Sequence, residues 1–164
     1  MDYHYCPICG AELIQKEIID EGKIPYCINC NKLYFSFTKQ CVLVGIINEK
    51  NQIALTKQKH IAPDHWILIS GYIKQGETIE ETVIREVKEE TGQEVEKLKY
   101  IRSYYIRDLD MLMLGFITFV KQQPFTISNE IDEISWFNFD DALQAILKDS
   151  VAEQLLKDIY KCNY

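Results

Sequence analysis

The chain has 164 residues, 47% of them hydrophobic and 26% charged, a globular composition able to bury a sizeable core, and its length fits one domain with an appendage. A formal net charge of -7 and a pI near 5.0 exclude broad nonspecific binding to nucleic acid, which needs a basic surface; a nucleotide held through bridging metal stays compatible. No run of about 18 apolar residues occurs and the opening MDYHYCPICG lacks the basic start and apolar centre of a signal peptide, so the expected location is cytoplasmic, with no membrane partner.

The first element in chain order is a cysteine framework. Cys6-Pro7-Ile8-Cys9 and Cys27-Ile28-Asn29-Cys30 are CxxC pairs separated by 17 residues, the spacing of a tetrahedral four-thiolate Zn²⁺ site whose intervening loop forms a short β-ribbon. A disulfide is disfavoured in a reducing compartment, and a redox motif is disfavoured without a βαβ context. Four thiolates leave no open coordination position, so the metal is expected to be structural, stabilising a ribbon over 1–37 too small to hold a core alone. Tyr3, Tyr5, Tyr26 and Tyr34 are expected to pack that ribbon. Cys41 is expected in the core and Cys162 near the surface.

From Gln40 to Lys57 the chain predicts two strands joined at Asn48 to Asn51, followed by a loop from His60 to Asp64 and a short strand from Trp66 to Ser70. His60 and His65 are expected to be loop residues. Next comes Gly71 to Gly92, GYIKQGETIEETVIREVKEETG, with six glutamates among 22 residues. A helix over Ile79–Glu90 aligns Ile79, Val83 and Val87 as one apolar stripe and sets Glu86 and Glu90 beside it. Carboxylates there lose hydration and repel one another unless a cation compensates; oxygen-only ligands favour Mg²⁺ or Mn²⁺ together with substrate phosphate. The alternative is a solvated acidic helix paired locally by Arg85 and Lys88. Thr78 with Glu81 reads as a capping box, and Gly92 as the stop.

Beyond Gly92, Leu98–Ile106, Met111–Lys121 and Glu130–Phe137 are strand-like. Asp140–Ile146 and Ser150–Lys161 carry helical apolar spacing.

The order Gly71, five residues, Glu77, seven residues, then Arg85-Glu86-Val87-Lys88-Glu89-Glu90-Thr91-Gly92 resembles the Nudix box, which marks hydrolases of nucleoside diphosphates linked to another moiety. Only the final apolar slot departs, being Gln93. A four-cysteine ribbon directly ahead of such a domain is similar to the NADH pyrophosphatase group. So are Leu112-Met113-Leu114-Gly115-Phe116, Glu130-Ile131 through Trp136-Phe137, and Ser150-Val151-Ala152. There are two departures: no counterpart of the further N-terminal domain many members carry precedes the ribbon, and the group's SQPWPFPxS array falls at SYYIRDLDM, Ser103 to Met111.

The resemblance implies an α+β fold, the Nudix α/β/α sandwich over 38–164 behind the zinc ribbon. It implies catalytic Mg²⁺ or Mn²⁺ on Glu86 and Glu90, the carbonyl of Ser70, and Glu89 and Glu130, with Glu89 and Glu130 competing as general base. Arg85 orients a glutamate through a charge-assisted hydrogen bond, chiefly Glu77, which is thereby structural with Gly71 and Gly92. Tyr104, Tyr105, Arg107 and Ala152 are the substrate-contact candidates; tyrosines stack on rings and Arg107 meets an anion, the alternative being an exposed strand and turn. The implied reaction is pyrophosphate hydrolysis in NAD(H) or a related dinucleotide. ADP-ribose, FAD, nucleotide sugars, nucleoside triphosphates and an NAD-capped RNA end are alternatives within that chemistry, and a non-catalytic nucleotide sensor with an adaptor ribbon is the alternative outside it. A homodimer is also implied.

Overall fold

The computed structural model describes residues 3–161, which excludes Cys162, and the chain forms two compact units that divide between Thr38 and Lys39. The smaller one is an antiparallel three-stranded ribbon, β1 (Ile14–Ile18), β2 (Gly22–Cys27) and β3 (Lys32–Leu33). The β1–β2 turn uses positive φ at Asp20 and Gly22. Three of its four tyrosines make ring contacts within it: Tyr3 lies against Tyr34 with ring centres 5.7 Å apart, and Lys16 Nζ sits 4.3 Å above Tyr26. Tyr5 is exposed.

In the larger unit, β4 (Lys39–Asn48) is an apolar run buried along most of its length. It pairs in parallel with β8 (Met111–Val120) on one side; its other side is shared by β5 (Ile53–Lys57) and β6 (Ile69–Tyr72), both antiparallel. With β7 (Val95–Ile106) beside β8 and β9 (Glu133–Phe137) beside β5, the sheet has six strands. The β4–β5 turn is held by Asn48, whose side-chain oxygen accepts from the N–H groups of Lys50 and Gln52 at 3.0 and 2.9 Å, an Asx-type arrangement.

Helix α1 (Ile79–Thr91) begins where expected. The Thr78 hydroxyl accepts from the Glu81 N–H while the Glu81 carboxylate accepts from the Thr78 N–H, and Gly92 ends the helix at φ 73°. Val83 and Val87 are fully buried, and pack on the sheet face carrying Val42, Val44, Ile46 and Ile69. On the opposite face, α2 (Phe139–Ala145) and α3 (Val151–Lys161) cover Leu43, Ile47, Leu55 and Ile117 with Ala142, Leu155, Leu156 and Ile159. Helix, sheet and helix layers make the α/β/α sandwich. The buried Gln93 is satisfied by Gln123: its side-chain nitrogen donates to the Gln123 carbonyl at 2.9 Å and its oxygen accepts from the Gln123 N–H at 3.0 Å. A buried amide with both ends paired replaces an apolar residue without leaving a polar group orphaned.

Two expected strands shift. Trp66 and Ile67 make isolated bridges only, and the paired strand starts at Ile69. Glu130 precedes β9, in a turn where its N–H donates to the Ser128 hydroxyl.

Candidate active site

The ribbon gathers Cys6, Cys9, Cys27 and Cys30 so that all four sulfurs lie within 4.8 Å of one another. Cys6 and Cys30 are 3.8 Å apart and Cys9 and Cys27 3.6 Å. A tetrahedron with Zn–S bonds of about 2.3 Å has sulfur–sulfur edges of about 3.8 Å, so the donor set fits Zn²⁺. Charge is already unevenly shared among the thiols. Burial raises Cys6, but hydrogen bonding from the Tyr34 hydroxyl, 3.0 Å away, and from backbone N–H groups outweighs it and lowers that thiol to about 6. Cys30, hydrogen-bonded with Cys9 and partly desolvated, is pushed up to about 12. The Cys30 N–H also points at Cys27 Sγ, 3.4 Å away.

In the larger unit the glutamate face of α1 meets β6 across Gly71. A Cβ on Gly71 would overlap the Glu86 carboxylate, so glycine is required for this carboxylate to lie against the strand. At Gly92 a Cβ would come 2.9 Å from Thr126 Cβ, and the positive φ adds to the demand.

Arg85 binds Glu77 through both oxygens, Nε to Oε1 at 2.6 Å and Nη2 to Oε2 at 2.9 Å. Its Nη1 donates to Glu86 at 2.5 Å and Glu89 at 3.0 Å, and Nη2 also reaches the Tyr72 carbonyl at 3.1 Å. The guanidinium holds the Glu77 carboxyl at about 2, helped by the Thr82 hydroxyl and the Lys74 N–H. Glu77 thus ties the loop 73–78 to α1.

Ser70, Arg85, Glu86, Glu89, Glu90 and Glu130 line one cavity of about 480 Å³. Glu90 is 5% exposed and its Oε2 has no hydrogen-bond partner. Burial, then the charges of Glu86 and Glu130, push its carboxyl up to about 8. An unpartnered buried carboxylate oxygen among like charges is what a hard cation would relieve, and an all-oxygen donor set suits Mg²⁺ or Mn²⁺. The cysteines alone, among the described residues, bring three or more ligating atoms within 4.8 Å. The wider spread of carboxylates fits an ion that keeps waters and substrate phosphates in its shell.

The substrate-contact candidates do not line this cavity. Tyr104 belongs to the core on the α3 side of the sheet, 8% exposed, its hydroxyl donating to Asp158 at 3.0 Å. The even-numbered face of β7 turns inward there, so the ring serves packing. Tyr105 is exposed and donates to Asp110 at 2.7 Å; Arg107 opens a single 3₁₀ turn; Ala152 is half-buried against the α3-side core. The cavity instead adds Cys41, Gln58, His60, Ile61, Tyr72, Lys74, Met111, Met113 and Ser128. The parallel β4–β8 register, which sets Cys41 opposite Met113, brings two of these together. Such long-range pairing has no local sequence signal.

Residues 38–159 match the family model described as NUDIX domain. Curated relatives include the NAD-capped RNA hydrolases NudC of Pectobacterium carotovorum, 26% identical over 161 residues, and of Escherichia coli, 28% identical over 157 residues; each alignment covers 95% of this chain. The chain spans about three fifths of those relatives' length, 59% and 60%. Among solved structures, a NUDIX hydrolase from Nitrosomonas europaea superposes with a TM-score of 0.72 at 24% identity, covering 94% of this chain and 89% of the other. The NUDIX domain of Shewanella oneidensis NrtR superposes at 0.68 and 16% identity, covering 85% and 94%. With the family model covering most of the chain and the glutamate helix built as described, the protein belongs to the NUDIX domain family.

Proposed function

We propose that this chain hydrolyses the pyrophosphate bond of a nucleoside diphosphate joined to another moiety, with NAD(H) or a related dinucleotide as substrate. The observation that carries the reading is the gathering of Ser70, Glu86, Glu89, Glu90 and Glu130 around one cavity that holds an unpartnered buried carboxylate. Glu86, Glu90 and the Ser70 carbonyl would hold Mg²⁺ or Mn²⁺, with Glu89 and Glu130 alongside. When bound, such an ion neutralises diphosphate charge and acidifies a coordinated water. Arg85 is a positioning residue that fixes the Glu86 and Glu89 carboxylates. Of the two candidate bases, Glu89 already accepts from Arg85 and lies 3.8 Å from Lys74 Nζ. Glu130 is exposed to the cavity and no described residue hydrogen-bonds its carboxylate, which leaves its lone pairs open to a water proton. These contacts favour Glu130 over Glu89 as the general base in this reading.

The dinucleotide preference is supported by the NudC relatives, which are NAD-capped RNA hydrolases; a capped RNA end presents the same linkage. A homodimer and a cytoplasmic location complete the reading, and no described helix is long and apolar enough to cross a membrane. The test is a nucleotide panel assayed with Mg²⁺ and with Mn²⁺, products resolved by chromatography. Faster hydrolysis of NADH than of ADP-ribose, FAD, nucleotide sugars or deoxynucleoside triphosphates is expected. Equal or slower NADH turnover overturns the dinucleotide preference. Unchanged turnover in both Glu89→Gln and Glu90→Gln overturns the site.

A further inference from the structure

Gln58 immediately follows β5 and is 5% exposed, yet it lines the same cavity as the carboxylates. Its backbone carbonyl accepts from the N–H groups of Ile61 and Ala62, both at 2.9 Å. No described residue hydrogen-bonds its side-chain amide. Other buried amides in this unit are paired, as Gln93 with Gln123 and Asn48 with its turn. The Gln58 amide atoms are not among the fully enclosed unpartnered ones, so what little of this side chain is exposed leaves the amide open to whatever occupies the cavity. The cavity around it is partly apolar, through Cys41, Ile61, Met111 and Met113. Thioethers make favourable contacts with aromatic rings and adapt to their shape.

We propose that Gln58 is a specificity residue reading the edge of a flat heteroaromatic ring held in this cavity beside the diphosphate. The inference rests on the nucleotide-hydrolase reading above and adds the chemical class of the group it recognises. A glutamine amide offers one donor and one acceptor side by side, matching a ring edge that presents an acceptor beside an N–H. The adenine N6/N7 edge has that pattern, and so does the carboxamide of a nicotinamide ring. Replacing adenine by hypoxanthine turns the N–H into a carbonyl, and replacing the carboxamide by a carboxylate removes its donor. Either change leaves the Gln58 oxygen facing an acceptor.

The test reads binding, not turnover, so its failure is distinguishable from failure of the hydrolase reading. Calorimetry compares AMP with IMP, and nicotinamide mononucleotide with nicotinic acid mononucleotide, on the 164-residue chain and on Gln58→Met, each checked for an unchanged melting profile. In the wild type, one of the two pairs is expected to differ by about tenfold or more, within the range a matched bidentate contact provides, and that pair names the ring. In Gln58→Met the difference should fall to within about twofold. Two outcomes overturn the proposal: wild-type protein that separates neither pair, or a separation that persists in Gln58→Met. If that variant does not fold, Gln58→Leu, which likewise removes both the donor and the acceptor, is read by the same criterion.

Discussion

Removing the buried charge at Glu90 should stabilise the metal-depleted protein, and by an amount that grows with pH. Its carboxyl lies at about 8 against an unfolded value of 4.5. An acid whose folded pKa is raised binds its proton more tightly when folded, so the associated stability is fully present below 4.5 and is lost as pH rises to about 8. The full 3.5-unit interval, at about 1.4 kcal/mol per unit, corresponds to about 5 kcal/mol. Side-chain relaxation and water entry would take up part of this, leaving a swing of about 2–3 kcal/mol. Glu90→Gln should therefore match wild type near pH 5 and exceed it by that amount near pH 8.5. Urea unfolding followed by tryptophan fluorescence suits the purpose, because both tryptophans, Trp66 and Trp136, belong to the larger unit. Resin-treated buffer removes weakly held Mg²⁺ while leaving a four-thiolate zinc in place. Added Mg²⁺ should then stabilise wild type more than the variant. A pH-independent gap, or a variant less stable at high pH, would refute the reasoning.

Gly71→Ala should cost about 100-fold in kcat/KM with the fold retained, because the new methyl displaces the Glu86 carboxylate and misplacement near 1 Å has that scale of effect; steady-state kinetics with circular dichroism checks it. Arg85→Lys should lower kcat more than it changes KM, since an ammonium cannot make the two-pronged contact to Glu77. The same substitution should bring acid unfolding to higher pH, because Glu77, at about 2 when folded, contributes stability that is present above 4.5 and lost as pH falls towards 2; an acid titration of tryptophan fluorescence reads this. Protein purified without added zinc should carry about one zinc per chain by elemental analysis, and Cys27→Ser should lower that content.

What could be read locally held up locally. The Thr78 cap, the Gly92 stop and the position of Glu86 and Glu90 beside the Val83–Val87 stripe follow from helix periodicity and end chemistry, and each is found. The apolar run in β4 likewise announced a buried central strand. What failed depended on partners distant in sequence. Tyr104 reads as a stacking residue until α3 supplies Asp158 on the same side of the sheet. Trp66 and Ile67 read as strand, but they find single bridges to Ile146 and Thr56. Gln58, Met111 and Met113 carry no motif; strand pairing alone brings them to the glutamates.

The position of Arg85 has a consequence for how substrate charge is met. A guanidinium has five N–H groups, and its Nε, Nη1 and Nη2 here make five hydrogen bonds, to Glu77 twice, Glu86, Glu89 and the Tyr72 carbonyl. Every donor is spoken for. A phosphate entering the cavity could recruit this cation only by taking a donor from a carboxylate or from the strand, loosening the frame that aims the glutamates. Arg85 is accordingly a fastener, and the anion's charge would be met by ions held on the glutamates and by Lys74, which also lines the cavity.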